Sequence, residues 1–198
     1  MKITIDADLF VRMSHAAALS SDALRPHLAC VRLEYRGGKA FAIASDSFVM
    51  AIYYIGPTTE PDEFMNVACG GELLAIAGAS DALTFEGWQI ASIATLSLYE
   101  SKSSGVWPLL PDKEPLFTNW WRLIPDPAKF ERGFIYLQDE LFRKLAATSP
   151  SGHIVFPAVV DNTDYMYLRD VYDPNWLGLI HARKKDGCEP ATIPEWLK

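Results

Sequence analysis

Residues 3–13, Ile3-Thr4-Ile5-Asp6-Ala7-Asp8-Leu9-Phe10-Val11-Arg12-Met13, decide how the rest of the chain is read. Ile3 and Ile5 alternate with polar neighbours, the period of a half-buried strand. Leu9, Phe10 and Met13 then recur at helical spacing, so the stretch is a strand that runs through an acid into a helix. The same step returns twice. Glu72, Leu73 and Leu74 follow the apolar run Phe64–Ala68, and Glu140, Leu141 and Phe142 follow Phe134–Leu137. Superposed, Asp8, Glu72 and Glu140 coincide, at separations of 72 − 8 = 64 and 140 − 72 = 68. A strand-to-helix step recurring at near-constant spacing marks an internal repeat.

Each step is followed by further strand patterns. After the first helix, Ser20–Pro26 is a break, because Arg25 precedes a proline that disfavours helix. Cys30–Tyr35, Ala40–Ala44 and Phe48–Ile55 then read as strands. Gly37-Gly38 turns the first hairpin, since glycine accepts the positive φ such turns need. Gly56-Pro57 and the acidic run to Glu63 form a linker. The second unit adds strands at Ala82–Glu86, Gln89–Ile93 and Thr95–Tyr99, with a loop at Ser101–Gly105. Between 107 and 127, five prolines interleave with Trp107, Phe117, Trp120 and Trp121. Such a run is neither a central strand nor a helix, and reads as a connector strapped across the sheets. The third unit runs from Gly133 to Lys184, with a helix over Asp139–Ala147 and strands at His153–Val160, Tyr165–Val171 and Trp176–Arg183.

The expected fold is therefore α+β, three β-α-β-β-β units with antiparallel sheets. Residues 1–116 form a domain of two units (1–56 and 62–106) plus connector, 117–184 the third unit, and 185–198 a polar tail. At 198 residues and 49% apolar composition the chain can bury a real core. A net charge of −7 argues against coating nucleic acid through bulk charge, but leaves room for a local basic face. Cys30, Cys69 and Cys188 are odd in number and far apart, which fits a reducing compartment. The opening residues read as a strand rather than a signal peptide, and no apolar run approaches the roughly 20 residues of a membrane span. The expectation is a soluble cytoplasmic protein.

Catalytic signatures are missing from the pattern: G-x-S-x-G, P-loop and Rossmann fingerprints do not occur. His27, His153 and His181 share no metal-ligand spacing with Asp, Glu or Cys, and read as structural. Asp161 and Asp164 lie in a turn that explains them. The chain is read as a non-enzyme with no cofactor and no metal.

Several stretches, in order, resemble the bacterial β-clamp family of DNA sliding clamps. Met1–Phe10 resembles the opening strand and helix. Leu24-Arg25-Pro26 followed by Leu28 is similar to the family's Arg-Pro segment. Ala44-Ser45-Asp46-Ser47 followed by Met50-Ala51 resembles the turn after the third strand. Trp107-Pro108 and Trp120-Trp121-Arg122-Leu123-Ile124-Pro125 resemble the aromatic-proline connectors, and Leu177–Arg183 the closing strand, where His181, Ile180 and Ala182 replace the usual proline and methionines. A bacterial clamp subunit has six units and the eukaryotic type four; three here imply a reduced relative of phage or prophage type.

The resemblance implies a ring or grip on duplex DNA, held loosely through phosphates, with a polymerase or clamp loader as further partner. The residues it nominates for DNA are Arg12, His15 and Arg25 in the first unit and Arg143 and Lys144 in the third. Arg12 and Lys144 occupy matching helical positions. The third unit has no mate within the chain, so its closing strand, with Trp176, Leu179 and Ile180, is expected to be an outer edge that joins a homo-oligomer. The alternative is a clamp-fold interaction module that binds a polymerase or the host clamp without encircling DNA.

Overall fold

A computed structural model describes residues 1–18, 28–86, 93–98, 104–108, 120–124, 130–131, 138–155, 159–160 and 165–181. The opening step forms as expected. Strand β1 (Lys2–Asp6) leads directly into helix α1 (Ala7–Ser14). Asp6 caps the helix, its Oδ1 accepting from the Leu9 amide at 2.9 Å. Eight residues are too few for a helix that stands alone in water, so packing holds it: Ala7, Phe10 and Met13 are buried. A meander comes next, β2 (Cys30–Arg36), β3 (Lys39–Ser45) and β4 (Val49–Pro57). Gly37 and Gly38 turn its first hairpin at φ 54° and 75°.

The second pass repeats the order: β5 (Glu63–Ala68), α2 (Gly71–Ala77), β6 (Ala82–Glu86), β7 (Ile93–Leu98) and β8 (Ser104–Pro108). Here the strands after β6 differ from the sequence expectation. One strand spans 93–98, and residues 104–108, assigned to a loop and the connector, form β8, paired antiparallel with β7. Residues 89–92 of the strand expected over Gln89–Ile93 lie outside the described residues.

In the third pass the opening stretch 134–137 lies outside the described residues. Helix α3 (Asp139–Ala146) is followed by β10 (Ile154–Val155), β11 (Val159–Val160), β12 (Tyr165–Asp170) and β13 (Trp176–His181). Of the single strand expected over 153–160, residues 154–155 pair with β12 and residues 159–160 with β9 (Phe130–Glu131) in a separate ladder, while 156–158 lie outside the described residues.

All described strand pairings are antiparallel. A four-stranded sheet has the order β1-β6-β7-β8, and a seven-stranded sheet the order β10-β12-β13-β4-β3-β2-β5. The first two units interlock through both sheets, β1 on β6 and β5 on β2. Strand β13 pairs with β4, with Leu177 opposite Ile52 and Leu179 opposite Met50. Tyr53 Oη donates to Asp173 Oδ2 at 2.9 Å across the same junction.

Period-two alternation divides the large sheet into two apolar faces. On one, Val31, Leu33, Ala42, Ala44, Val49 and Trp176 share a core with Ile5, Phe85 and the three helices. Met13, Ala77 and Leu145, one residue from each helix and five positions after Asp8, Glu72 and Glu140 respectively, are all buried in it. On the other face Cys30, Ile43, Met50, Ile52 and Leu179 pack with Trp120 of the connector.

The connector is stapled there by charge as well as area. Trp120 Nε1 donates to buried Glu34 Oε2 at 3.1 Å, while Arg36 reaches Glu34 and lies 3.1 Å over the Trp121 ring. A buried carboxylate of this kind must be compensated, and Arg32 Nε at 3.1 Å adds to that compensation.

Candidate nucleic-acid interface and an apolar pocket

The last turns of α1 and α3 are basic, which suits the partial negative charge of a helix C-terminus. Arg12 lies in the last turn of α1, and its Nη1 donates to the Ser149 carbonyl, just beyond α3, at 3.4 Å. That contact ties the end of α1 to the turn that follows α3. Arg143 is 78% exposed on α3 and pairs with Asp139 at 2.9 Å. Lys144 turns toward the sheet and pairs with Asp46 in the β3–β4 turn. Exposed His15 closes α1. Arg25 lies outside the described residues. Helix α2 carries Glu72 and no base.

Each described arginine and lysine of this set has an acidic partner, Arg12 also having Asp8 at 2.6 Å. Exposed i,i+4 pairs of this kind are worth only about 0.3–0.5 kcal/mol, so a phosphate can compete for them.

Asp46 has a second role. Its Oδ1 accepts from the amides of Phe48 and Val49, both at 2.9 Å, and Ser45 Oγ accepts from the Ser47 amide at 3.1 Å. These bonds hold Ser47 at φ 79°, a left-handed conformation that a non-glycine residue adopts only when its surroundings impose it. The turn projects Phe48 to 45% exposure.

Phe48 lies on a cavity of about 140 Å³ lined by Leu28, Ser47, Val49, Met50, Leu123 and Leu179. That is near the roughly 150 Å³ of an apolar cavity that accepts benzene. The pocket suits one apolar side chain. Sequence reading missed it because its walls come from positions as far apart as 28 and 179. The available signal was Phe48 itself, a large aromatic directly after the polar turn Ser45-Asp46-Ser47.

Trp176, Leu179 and Ile180 do not mark an outer edge. All three are at most 1% exposed, on a strand flanked by β12 on one side and β4 on the other. Trp176 Nε1 donates to Thr148 Oγ1 at 3.0 Å and so ties β13 to the end of α3. The apolar run that suggested a docking edge is apolar because both faces of β13 are covered.

One carboxylate is strongly perturbed. Burial would raise the pKa of Asp170. Hydrogen bonds from the Ser149 and Ser151 hydroxyls and the Ser151 and Tyr172 amides outweigh that and hold it well below the usual carboxylate range. Asp170 ties the turn after α3 to the end of β12 and is structural. Among the described residues no three His, Cys, Asp or Glu gather to hold a metal, and no helix is long and apolar enough to cross a membrane.

No protein-family model matches the sequence, and neither does any curated protein. Solved structures match over almost all of the chain. A DNA polymerase sliding clamp from Pseudomonas aeruginosa, solved with ligand, aligns over 93% of this chain and 67% of its own at 10% identity, with a TM-score of 0.68. A DNA polymerase III beta subunit described as such provisionally, from Eubacterium rectale, covers 94% and 65% at 9% identity and 0.62. A sliding clamp from Bartonella birtlesii covers 99% and 67% at 13% identity and 0.57. The chain has the fold of the DNA sliding clamps. It spans about two thirds of the length of these bacterial beta subunits.

Proposed function

We propose that this chain is a non-enzymatic, clamp-like protein of phage or prophage type that grips duplex DNA in replication or repair, in the cytoplasm. The observation that carries the reading is the bond from Arg12 to the Ser149 carbonyl, which brings the basic last turn of α1 to the segment just after α3, a helix whose own last turn carries Arg143 and Lys144. The clamp fold supports it, as do the shallow, exchangeable pairings of Arg12 and Arg143. A sliding protein needs phosphate contacts that position without reading sequence. We assign the domain organisation as a two-unit domain over 1–116, a third unit over 117–184 and a tail.

Fluorescence anisotropy with a labelled 30-base-pair duplex tests this across a salt series. Binding is expected to be weak, sequence-indifferent and salt-dependent. Alanine at Arg12, Arg25, Arg143 and Lys144 together lowers the log–log salt slope by about 0.9 for each phosphate that is no longer neutralised. No binding by the parent at low salt, or an unchanged slope in the variant, overturns the reading. A ring needs further copies. The sheet ends among the described residues are β1 and β8 in the four-stranded sheet and β10 and β5 in the seven-stranded one, with β9 and β11 forming a two-stranded ladder, so a homo-oligomer would be joined at such an end and not through β13. A light-scattering mass above 22.1 kDa supports that assembly.

The pocket favours a second reading, a module that docks a polymerase or clamp-loader peptide by one apolar side chain. Nile red, a neutral apolar dye, then brightens on the parent and not on a Phe48→Ser/Leu123→Ser variant. Equal brightening on both removes that reading.

A further inference from the structure

We infer that Lys144 couples the helix face to the apolar pocket, by exchanging between Asp46 and a DNA phosphate. The inference rests on the duplex reading above and adds regulation to it. Lys144 sits on α3 beside the exposed Arg143, yet its ammonium is drawn to Asp46 in the β3–β4 turn. The two oxygens of Asp46 divide the work. Oδ2 takes Lys144, and Oδ1 holds the amides of Phe48 and Val49. The ion pair therefore anchors the turn whose left-handed Ser47 positions Phe48 on the pocket's rim.

Lys144 retains about a quarter of its side chain in solvent and Asp46 about a tenth. The cation is thus the more accessible partner of the two. A phosphate arriving beside Arg143 competes for Lys144 from the solvent side. When Lys144 leaves, Asp46 keeps its amide bonds but loses the cation that fixes the carboxylate, and the strained turn can relax with Phe48. The rim is formed in the paired state, so duplex on the helices and an apolar side chain in the pocket oppose one another. Coupling is reciprocal: whatever factor the duplex takes from pocket affinity, the pocket's occupant takes from duplex affinity. A partly exposed pair sets that factor at about two- to fivefold.

The test follows Phe48 directly. The whole protein is produced with 4-fluorophenylalanine, and Phe48→Leu identifies the Phe48 resonance by ¹⁹F NMR. Two variants dissect the pair. Asp46→Asn keeps the oxygen that holds the turn amides while removing the charge from Lys144, and Lys144→Met keeps the aliphatic stem. In the parent, adding a 30-base-pair duplex at low salt shifts the Phe48 resonance and weakens Nile red binding about two- to fivefold. In both variants the resonance starts displaced and duplex leaves it in place, and Asp46→Asn binds duplex about two- to fivefold more tightly than the parent. Duplex binding seen by anisotropy with a static Phe48 resonance overturns the coupling alone. So does a Phe48 resonance in Lys144→Met that coincides with the parent's. No duplex binding at all overturns both the helix-face reading and this coupling.

Discussion

Substituting Gly178 by alanine probes the packing of β13 against α3 beside its junction with β4. Gly178 lies in β13 between Trp176 and Ile180, facing α3. A Cβ there would meet Trp176 Cη2 at 2.6 Å, Leu145 Cδ2 at 2.9 Å and Trp176 Cζ2 at 3.0 Å. These atoms are poorly placed to yield. Trp176 is 1% exposed with its indole bonded to Thr148, and Leu145 is fully buried. Forcing an extra methyl into such packing costs about 1–3 kcal/mol. Reduced freedom of the unfolded chain returns about 0.4–1 kcal/mol. With the middle of each range, the expected net loss is about 1.3 kcal/mol, or roughly 3–5 °C in Tm for a chain of this size. Urea unfolding followed by tryptophan fluorescence measures it. Trp176→Phe removes both ring atoms that clash, so the same Gly178→Ala change should cost less in that background, and a double-mutant cycle reads the difference. Gly178→Ala as stable as the parent would refute the close packing of β13 on α3.

Two further expectations concern titration. Asp170 has its folded pKa depressed, so its contribution to stability is full above the unfolded value of about 3.9 and is lost as pH falls through the folded value. Stability of the parent should therefore fall below about pH 4. Asp170→Asn should cost roughly 1.5–3 kcal/mol at pH 7, about that of one charged hydrogen bond, and should flatten the acid limb. An acid limb of unchanged steepness in the variant would count against it. Burial raises the thiol of Cys30 far above its usual range and that of Cys69 to about 12. With Cys188 replaced by serine, native protein should therefore give no fast reaction with a disulfide reagent at pH 8, and two thiols after denaturation. A rapid native burst would refute the raised thiols of buried Cys30 and half-buried Cys69.

The sequence by itself determined the local steps and the common pattern of the three helices. Ile3 and Ile5 alternate as a strand must, Asp6 caps the first helix, and each acid of the aligned set is the second residue of its helix. Met13, Ala77 and Leu145 come at the same distance beyond those acids and all point into the core. These features are set by dihedral preferences and side-chain periodicity within a few residues, so they are legible in one dimension. Two nominated cations, Arg12 and Lys144, were likewise legible as matching helical positions. Their acidic partners were not equally so: Asp8 lies one helical turn away, but Asp46 is 98 residues from Lys144.

Tertiary structure alone decided the rest. Trp176-Leu177-Gly178-Leu179-Ile180 has the composition of a buried strand, and an edge looking for a partner has that composition too. Backbone donors and acceptors carry no record of which strand will satisfy them, and only folding showed that β4 does. The pocket beneath Phe48 is a case of the same kind. Leu28, Leu123 and Leu179 are unremarkable alone, and a cavity is a property of the space their neighbours leave unfilled.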